Sequence, residues 1–167
     1  MNGITLTLRA LHHGERHLAK ELVIIAERHS TEHEVHHVAK DLALWSDEHC
    51  RRVAETGRHY GLDLAGPATK SPPGLVTTLS TTLREKTAEA VGHRPEPGLL
   101  LLRDLRELHL GAVGNSLYWE MLAQAGQAAK DTRLLELSAA CHPQTLRQMR
   151  WTNTMIKNLA PQVLTSL

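Results

Sequence analysis

The stretch LRALHHGERHLAKELVIIAERHSTEHEVHHVAKDLALWSDEHC, residues 8–50, decides the fold, because its apolar residues return at every third or fourth position. This spacing marks one face of an α-helix and differs from the alternation of a β-strand. The pattern breaks at Ser30, and Thr31 with Glu34 three residues later forms a capping box that predicts a second helix. So short a turn predicts an antiparallel helical hairpin.

The two helices of this hairpin are predicted over about residues 4–29 and from Thr31 to about Tyr60, where Gly61 supplies a stop signal. Their inward stripes are predicted as Leu8, Leu11, Glu15, Leu18, Leu22 and Ile25 in the first helix, and Val35, Val38, Leu42, Trp45, His49 and Val53 in the second. Each apolar stripe therefore carries one ionisable residue, Glu15 or His49.

The second half of the chain predicts another pair of long helices, over about residues 99–128 and 131–160. Asp131 or Thr132 is the predicted cap between them, and Pro161 is predicted to end the last helix. Pro143 lies inside that helix, where it removes a backbone hydrogen bond and should kink or restart the helix.

The middle of the chain separates the two pairs of helices. Residues 61–72 are rich in Gly and Pro and predict a loop, residues 73–92 predict a shorter helix, and residues 93–98 predict another break. We therefore predict an all-α fold with one domain, residues 1–167: a four-helix bundle of two antiparallel hairpins joined by a long crossover that contains a short helix. The alternative is an up-down-up-down bundle in which the short helix is a full member.

Composition restricts the partners and the compartment. A net charge of +1 does not produce a strong electrostatic attraction to nucleic acid or to anionic lipid. The apolar runs at 22–25 and 99–102 are far too short to span a bilayer, and the first residues lack the apolar segment of a secretory signal. Two cysteines in 167 residues indicate a reducing compartment rather than a disulfide framework. We expect a cytoplasmic protein without a nucleic-acid or membrane partner.

The stripes of the last two helices also include polar residues. The pattern of the fourth helix places His142 inward, whereas the third helix places His109 inward or, shifted by one residue, favours Glu120. If the third helix runs parallel to the second, Glu15, His49 and His142 fall at the same height of the bundle. We therefore predict that these three side chains converge, with His109 and Glu120 about one turn to either side.

This pattern resembles the ferritin-like superfamily, including its bacterioferritin-type di-iron members, in which a Glu on the first and third helices joins a Glu-x-x-His on the second and fourth. Glu15 matches the carboxylate of the first helix in this family, and Glu107 or Glu120 is the candidate for the carboxylate of the third helix. Residues 46–49 read Ser-Asp-Glu-His and residues 139–142 read Ala-Ala-Cys-His, so both histidines match while both motif glutamates are replaced. The resemblance implies iron or zinc in a mononuclear site, or a relic of such a site. The metal ligands predicted in this way are Glu15, His49, His142, Glu120 and His109.

The cysteines offer a variant of this site, because Cys50 follows His49 and Cys141 precedes His142. Adjacent helical residues point about 100° apart, so only one member of each pair can face a common centre. One from each pair, with Glu15, gives a set of imidazole, thiolate and carboxylate ligands that suits Zn²⁺ or Fe²⁺.

Histidines also recur every four residues, at His29, His33 and His37 and at His13 and His17. Haemerythrin-like proteins use comparable spacings. The alternative is a solvated or interfacial histidine face that titrates near pH 6–7.

Two functions without a metal remain open: an interaction module that packs its polar faces on partners, and a small-molecule binder that uses the polar seam as a pocket. We also expect a homo-oligomer, in its simplest form a dimer. The apolar residues predicted to lie partly off the core stripes are Val23, Ile24, Ala26 and Leu44.

Overall fold

The structure, a computed structural model, describes residues 2–64 and 96–166, and four helices hold 89% of these residues. They are α1 (Gly3–Arg28), α2 (His33–Arg58), α3 (Pro97–Ala129) and α4 (Thr132–Thr165). Neither described stretch contains a β-strand. The predicted all-α bundle of two long hairpins is confirmed. The short helix predicted at 73–92 lies outside the described residues.

The helix ends follow local sequence signals in most places. The predicted cap at Asp131 is confirmed, because its carboxylate accepts hydrogen bonds from the backbone N–H groups of Arg133 and Leu134. Asn2 caps α1 in the same way through the backbone N–H of Thr5. Gly61 has a φ of 73° just after α2, a left-handed conformation that glycine adopts without strain.

Two helix ends differ from the prediction. The capping box at Thr31 is wrong: a backbone bond from Glu32 N–H to the His29 carbonyl closes the turn, so Glu32 holds the cap position and α2 begins at His33. The predicted end at Pro161 is also wrong, because α4 runs on to Thr165. A single proline removes one hydrogen bond of the helix, and the neighbouring bonds suffice to continue it.

Each helix packs on two neighbours: α1 on α2 and α3, and α4 on α3 and α2. Gly14 lies against Asn115 and His29 contacts Asp104, so α1 and α3 run antiparallel. Because α1 runs antiparallel to both α2 and α3, these two helices run parallel to each other, and they lie at diagonally opposite corners of the bundle. Parallel α2 and α3 are expected both for the crossover arrangement and for a bundle in which the middle helix is a full member, and the residues that distinguish the two lie outside the described residues.

Among the apolar residues predicted to lie partly off the core stripes, Leu44 is 65% exposed, but Ala26 is fully buried, so its assignment to an outer face was wrong.

The core consists of two apolar clusters with polar side chains between them. One cluster surrounds Leu22 and Leu105 near the α1–α2 turn, and the other surrounds Leu8 and Trp119 toward the opposite end. The polar layer between them comprises Glu15, Ser46, His49, Asn115, Thr145 and Gln148, all of which are buried. Among the described helices, none is long and apolar enough to cross a membrane.

Candidate functional site: a buried carboxylate and imidazole

Glu15 of α1 has no exposed surface, and one of its carboxylate oxygens is held by two side chains from the other hairpin. The indole N–H of Trp119 donates to Glu15 Oε1 at 3.0 Å, and the hydroxyl of Thr145 donates to the same oxygen at 3.4 Å. The other carboxylate oxygen, Oε2, is enclosed and has no hydrogen-bond partner among the described residues. The carboxylate is therefore fixed through one oxygen and left with the second uncommitted.

His49 of α2 is equally enclosed, and its ring is oriented from α4. Its Nε2 lies 2.8 Å from Oε1 of Gln144, an amide oxygen that accepts, so Nε2 carries the hydrogen. In the neutral ring, Nδ1 then presents its lone pair toward Glu15, and Nδ1 and Glu15 Oε1 lie 3.2 Å apart. This separation is within the range of an ion pair, but the two atoms are not aligned as in a hydrogen bond. Nδ1 has no hydrogen-bond partner in the described part of the chain.

Ser46, which replaces the glutamate of the second-helix motif, has a structural partner. The amide nitrogen of Gln148 donates to Ser46 Oγ at 2.9 Å and to the carbonyl of Leu42 at 3.1 Å. The position that would hold a bridging carboxylate in a di-iron centre therefore ties α4 to α2 instead.

The other three predicted ligands do not join Glu15 and His49. His142 turns toward α3, where Nε2 lies 2.8 Å from Ser116 Oγ and Nδ1 lies 3.9 Å from a carboxylate oxygen of Glu120. Glu120 itself is 58% exposed, so the register that placed it in the core is wrong. His109 lies between α3 and α4, with Nδ1 2.8 Å from the hydroxyl of Thr152.

The physical reason is a rotational error in the predicted stripe of α4. Inward residues of α4 are observed as Leu134, Leu137, Ser138, Cys141, Thr145, Gln148, Thr152 and Met155. The predicted stripe shared Ser138, Thr145 and Thr152 with this face but ran through His142 and Met149 instead of Cys141 and Gln148, so the predicted face was rotated by roughly 60°. With the observed register, Cys141 faces the core and Ala139 faces solvent.

Of the two cysteine pairs, the structure turns His49 and Cys141 fully inward and leaves Cys50 and His142 at the sides. Burial raises the pKa of both thiols to about 12, and the nearby Glu15 carboxylate adds to this shift. Both sulfur atoms are therefore protonated thiols at neutral pH.

The histidines spaced by four residues do not form a common face. His29 is buried and lies 2.8 Å from Asp104, whereas His33 and His37 are exposed, as are His13 and His17. Across residues 2–64 and 96–166, no group of three or more His, Cys, Asp or Glu side chains is arranged to hold a metal ion.

Sequence reasoning missed the residues that orient the pair: Trp119, Thr145 and Gln144. Trp119 carried a signal, since an indole with a polar N–H in an apolar stripe needs a buried acceptor. Thr145 lay in the predicted inward stripe of the fourth helix, but the pattern did not indicate its partner. Gln144 carried no signal, because a polar residue on a helix is ordinarily solvated.

The donor set does not fit a di-iron centre, since bridging two hard cations requires several carboxylates and the polar layer contains one. Comparisons of the chain with protein-family models, curated proteins and solved structures gave no match. Fold and site together thus define a four-helix bundle with a buried carboxylate–imidazole pair.

Proposed function

We propose that the protein binds a single divalent cation, Zn²⁺ or Fe²⁺, between Glu15 and His49 in the core of a ferritin-like bundle. The observation that supports this most is the state of His49: Gln144 accepts from its Nε2–H, so Nδ1 keeps an unshared lone pair 3.2 Å from Glu15 Oε1. Metal-binding histidines in proteins are ordinarily oriented in this way, with the second ring nitrogen donating to a carbonyl or carboxylate.

The spacing of the two donors supports the same proposal. Zinc bonds to nitrogen and oxygen of roughly 2.0–2.2 Å place two ligands of a tetrahedral ion roughly 3.3–3.6 Å apart, slightly more than the separation observed here. Nδ1 of His49 and Oε1 of Glu15 are separated by 3.2 Å. The bonds from Trp119 and Thr145 fix the carboxylate as outer ligands do in metal sites.

Polar atoms without hydrogen-bond partners in the same layer are further support for the presence of bound water or of an ion. Glu15 Oε2, Asn115 Nδ2 and Gln148 Oε1 are all buried, and no hydrogen-bond partner for them occurs among the described residues. Each such atom costs about 1–3 kcal/mol if it stays unsatisfied. Water molecules on a hydrated ion would supply both donors and acceptors for these groups.

The ferritin-like relationship and the compartment belong to the same proposal. The bundle of two hairpins and the carboxylate of the first helix support descent from that superfamily, with the glutamates of both Glu-x-x-His motifs replaced. A reducing cytoplasm is supported by the free thiols Cys50 and Cys141.

The second candidate is a metal-free bundle that acts as a non-enzymatic interaction module. It is favoured by the described residues themselves, among which no group of three or more His, Cys, Asp or Glu side chains is arranged to hold a metal ion. In that case the layer would serve only to fix the register of the four helices, as buried polar groups do in some helical assemblies.

Metal titration separates the two candidates. We would first replace by alanine the exposed histidines that recur every four residues, a spacing that suits metal binding at a helix surface: His13, His17, His33 and His37. This parent is dialysed against Zn²⁺ or, without oxygen, Fe²⁺, and bound metal is counted by elemental analysis. We expect one ion per chain, lost in His49→Gln and kept in His142→Ala, which carries the matched control histidine.

Absence of bound metal in the parent would overturn the proposal in favour of the metal-free bundle. Equal binding by the parent and by His49→Gln would also overturn it, because the ion would then lie elsewhere. Circular dichroism of each variant confirms that the bundle is folded.

A further inference from the structure

A serine, a histidine and a glutamate lie in a row across the contact between α3 and α4, outside the buried polar layer. Oγ of Ser116 lies 2.8 Å from Nε2 of His142, and Nδ1 of the same ring lies 3.9 Å from Oε2 of Glu120. Ser116 and Glu120 are four residues apart on α3 and therefore lie on one face of that helix. A hydroxyl and a carboxylate are thus placed at the two nitrogens of one imidazole.

The carboxylate of Glu120 determines which ring nitrogen of His142 carries the hydrogen. Gln124 donates from its Nε2 to Oε1 of Glu120 at 3.1 Å, so Oε2 is left to face the imidazole. A hydrogen on Nδ1 is attracted by this negative charge, whereas a lone pair there is repelled by it. Nε2 is then the acceptor, and the Ser116 hydroxyl donates to it. A hydroxyl that donates to an imidazole oriented by a third group is the arrangement of an activated nucleophile.

A second contact between a histidine and a hydroxyl, on the same two helices, shows what distinguishes Ser116. Nδ1 of His109 lies 2.8 Å from Oγ1 of Thr152. This hydroxyl, however, donates to the backbone carbonyls of Gln148 and Met149, at 3.1 and 2.9 Å. Thr152 therefore accepts a hydrogen from the imidazole and keeps its own proton. Ser116 Oγ has no bond to a backbone carbonyl among the described residues, so its proton is available to the imidazole.

The serine and the histidine are both accessible to solvent in part. Ser116 is half-buried, and the His142 side chain is 18% exposed. Two large apolar side chains border them: Leu117 follows Ser116 and is 57% exposed, and Leu146 lies one turn beyond His142 and is 44% exposed. An acyl group bonded to Ser116 would lie beside these leucines, which favours an apolar acid over a charged one.

We propose that Ser116 is a nucleophile that accepts the acyl group of an activated carboxylic ester, with His142 as its general base and Glu120 as a positioning residue. Oγ forms a bond to the carbonyl carbon of the ester while its proton passes to Nε2 of His142. The bond from this carbon to the leaving oxygen then breaks, and the proton on Nε2 passes to the departing alcohol. Water that loses a proton to the same nitrogen attacks the acyl group, releases the acid and restores the serine.

The position of Ser116 within α3 determines the expected rate. The serine lies in the middle of the helix, where backbone N–H groups are bonded within the helix and are not free to form an oxyanion hole. General-base assistance alone contributes about 10²–10⁴-fold. We therefore expect slow turnover, and covalent labelling of the serine is the more sensitive measurement.

Labelling by a fluorophosphonate probe tests the activation of the serine. Ser116 Oγ forms a bond to phosphorus, fluoride leaves, and the proton passes to His142. Peptide mass mapping measures the label on each residue, and the exposed Ser30 is the internal control. We expect Ser116 to be labelled at least about tenfold faster than Ser30, and His142→Ala to abolish this difference. Labelling of Ser116 no faster than that of Ser30 would overturn the proposal.

His109→Ala is the matched control, because it removes the other histidine–hydroxyl contact of the same helix pair. It should leave the labelling of Ser116 unchanged. Added imidazole should restore labelling in His142→Ala, since a free base replaces the lost proton acceptor but does not replace a lost structural contact. Unchanged labelling in His142→Ala, or an equal loss in His109→Ala, would overturn the role of His142 as the base.

Glu120→Gln tests the positioning residue, because glutamine has the same size without the charge. Labelling of Ser116 should be slower than in the parent, and the difference should shrink at high salt, since the Glu120 side chain is 58% exposed and its charge is screened. Equal labelling of the parent and of Glu120→Gln at low salt would overturn this role.

Hydrolysis of p-nitrophenyl butyrate tests acyl transfer. Histidine side chains of the surface also react with such esters, so Ser116→Ala measures the background. We expect faster release of p-nitrophenolate by the parent than by Ser116→Ala, and a butyryl group on Ser116 detected by peptide mass mapping. Equal release, or no butyryl group on Ser116, would overturn acyl transfer. Circular dichroism of each variant confirms that the bundle is folded, and no metal is added, so these results do not depend on ion binding by Glu15 and His49.

Discussion

The two hairpins of the bundle carry similar ionisable residues and use them differently. In the first hairpin, Glu15 and His49 point into the core and meet each other. In the second hairpin, His109, His142 and Glu120 lie along the sides or the surface, and the histidines bond to hydroxyl groups of the facing helix. The difference comes from helix rotation, because a shift of one residue moves a side chain by about 100° around the axis.

The comparison teaches that one hairpin supplies the ionisable pair and the other supplies the groups that orient it. Trp119 and Thr145 hold Glu15, and Gln144 holds His49. The core-facing carboxylate of the second hairpin is Asp104, which is committed to Arg28 and His29 at the end of α1. The following substitutions test this division of roles, from the largest expected effect to the smallest.

Replacement of Glu15 should have the largest effect. Glu15→Ala leaves the Trp119 N–H and the Thr145 hydroxyl without their shared acceptor and removes the charge facing His49. Each buried donor that loses its acceptor costs about 1–3 kcal/mol. Urea denaturation measures the loss, and Glu120→Ala on the second hairpin should change stability by less than about 0.5 kcal/mol. Equal losses for the two variants would contradict the division of roles.

Asp104 should contribute a stabilising effect that depends on pH. Burial would raise its pKa, but hydrogen bonds from His29, Arg28 and Arg103 outweigh this and hold the pKa at about 2. In the unfolded chain the carboxyl has a pKa near 3.8 and takes up its proton first as the pH falls. The stabilisation, about 2 kcal/mol, is thus complete above pH 4 and lost between about pH 4 and pH 2.

Asp104→Asn removes this titration. Its stability measured at pH 7, 4 and 2.5 should fall less on acidification than that of the parent protein. Parallel curves for the two proteins would show that Asp104 is not the carboxylate involved.

Alanine substitutions at Gly14 and Gly114 should have smaller effects on stability, and these effects should be of opposite sign. A Cβ at Gly14 overlaps the amide of Asn115, so Gly14→Ala should cost about 1–2 kcal/mol as that buried side chain shifts. Gly114 has open space, so Gly114→Ala should stabilise the protein by up to about 1 kcal/mol. Thermal unfolding at low micromolar concentration measures both, and a stabilised Gly14→Ala would refute the close packing of α1 on α3.

Phenylalanine substitutions of two tryptophans should give the smallest and most selective difference in stability. Both Trp→Phe substitutions remove the same packed ring atoms, and Trp119→Phe also loses an indole N–H that donates to Glu15 and Thr145. The indole N–H of Trp151 is buried and has no partner in the described stretches, so Trp119→Phe should cost about 1 kcal/mol more than Trp151→Phe. A larger loss at Trp151 would contradict the hydrogen-bond assignment.

The extent to which the sequence predicted these features follows from how apolar each stripe is. The stripe of α1 was correct because Leu8, Leu11, Leu18 and Leu22 outweigh the single Glu15, and all of them are buried. In α4 the inward face itself is polar, with Thr145 and Gln148 facing the core while Leu146 is 44% exposed. Periodicity of apolar residues cannot locate a polar inward face.

The site was predicted in part for the same reason. Glu15 and His49 stand alone in apolar stripes, so their burial and approach followed from the pattern of the first hairpin. The contacts that orient them join residues about 100 positions apart, such as Trp119 with Glu15. Single-sequence periodicity has no information on which side chains meet across helices, and that is why His142 was placed with them.

Anomalous diffraction from crystals grown with Zn²⁺ tests the central proposal most directly. Data collected on both sides of the zinc absorption edge locate zinc independently of the protein model. We predict one strong peak within bonding distance of His49 Nδ1 and the Glu15 carboxylate, and its loss in His49→Gln. Peaks confined to exposed histidines such as His33 and His37, or no peak in the polar layer, would contradict metal binding by this pair.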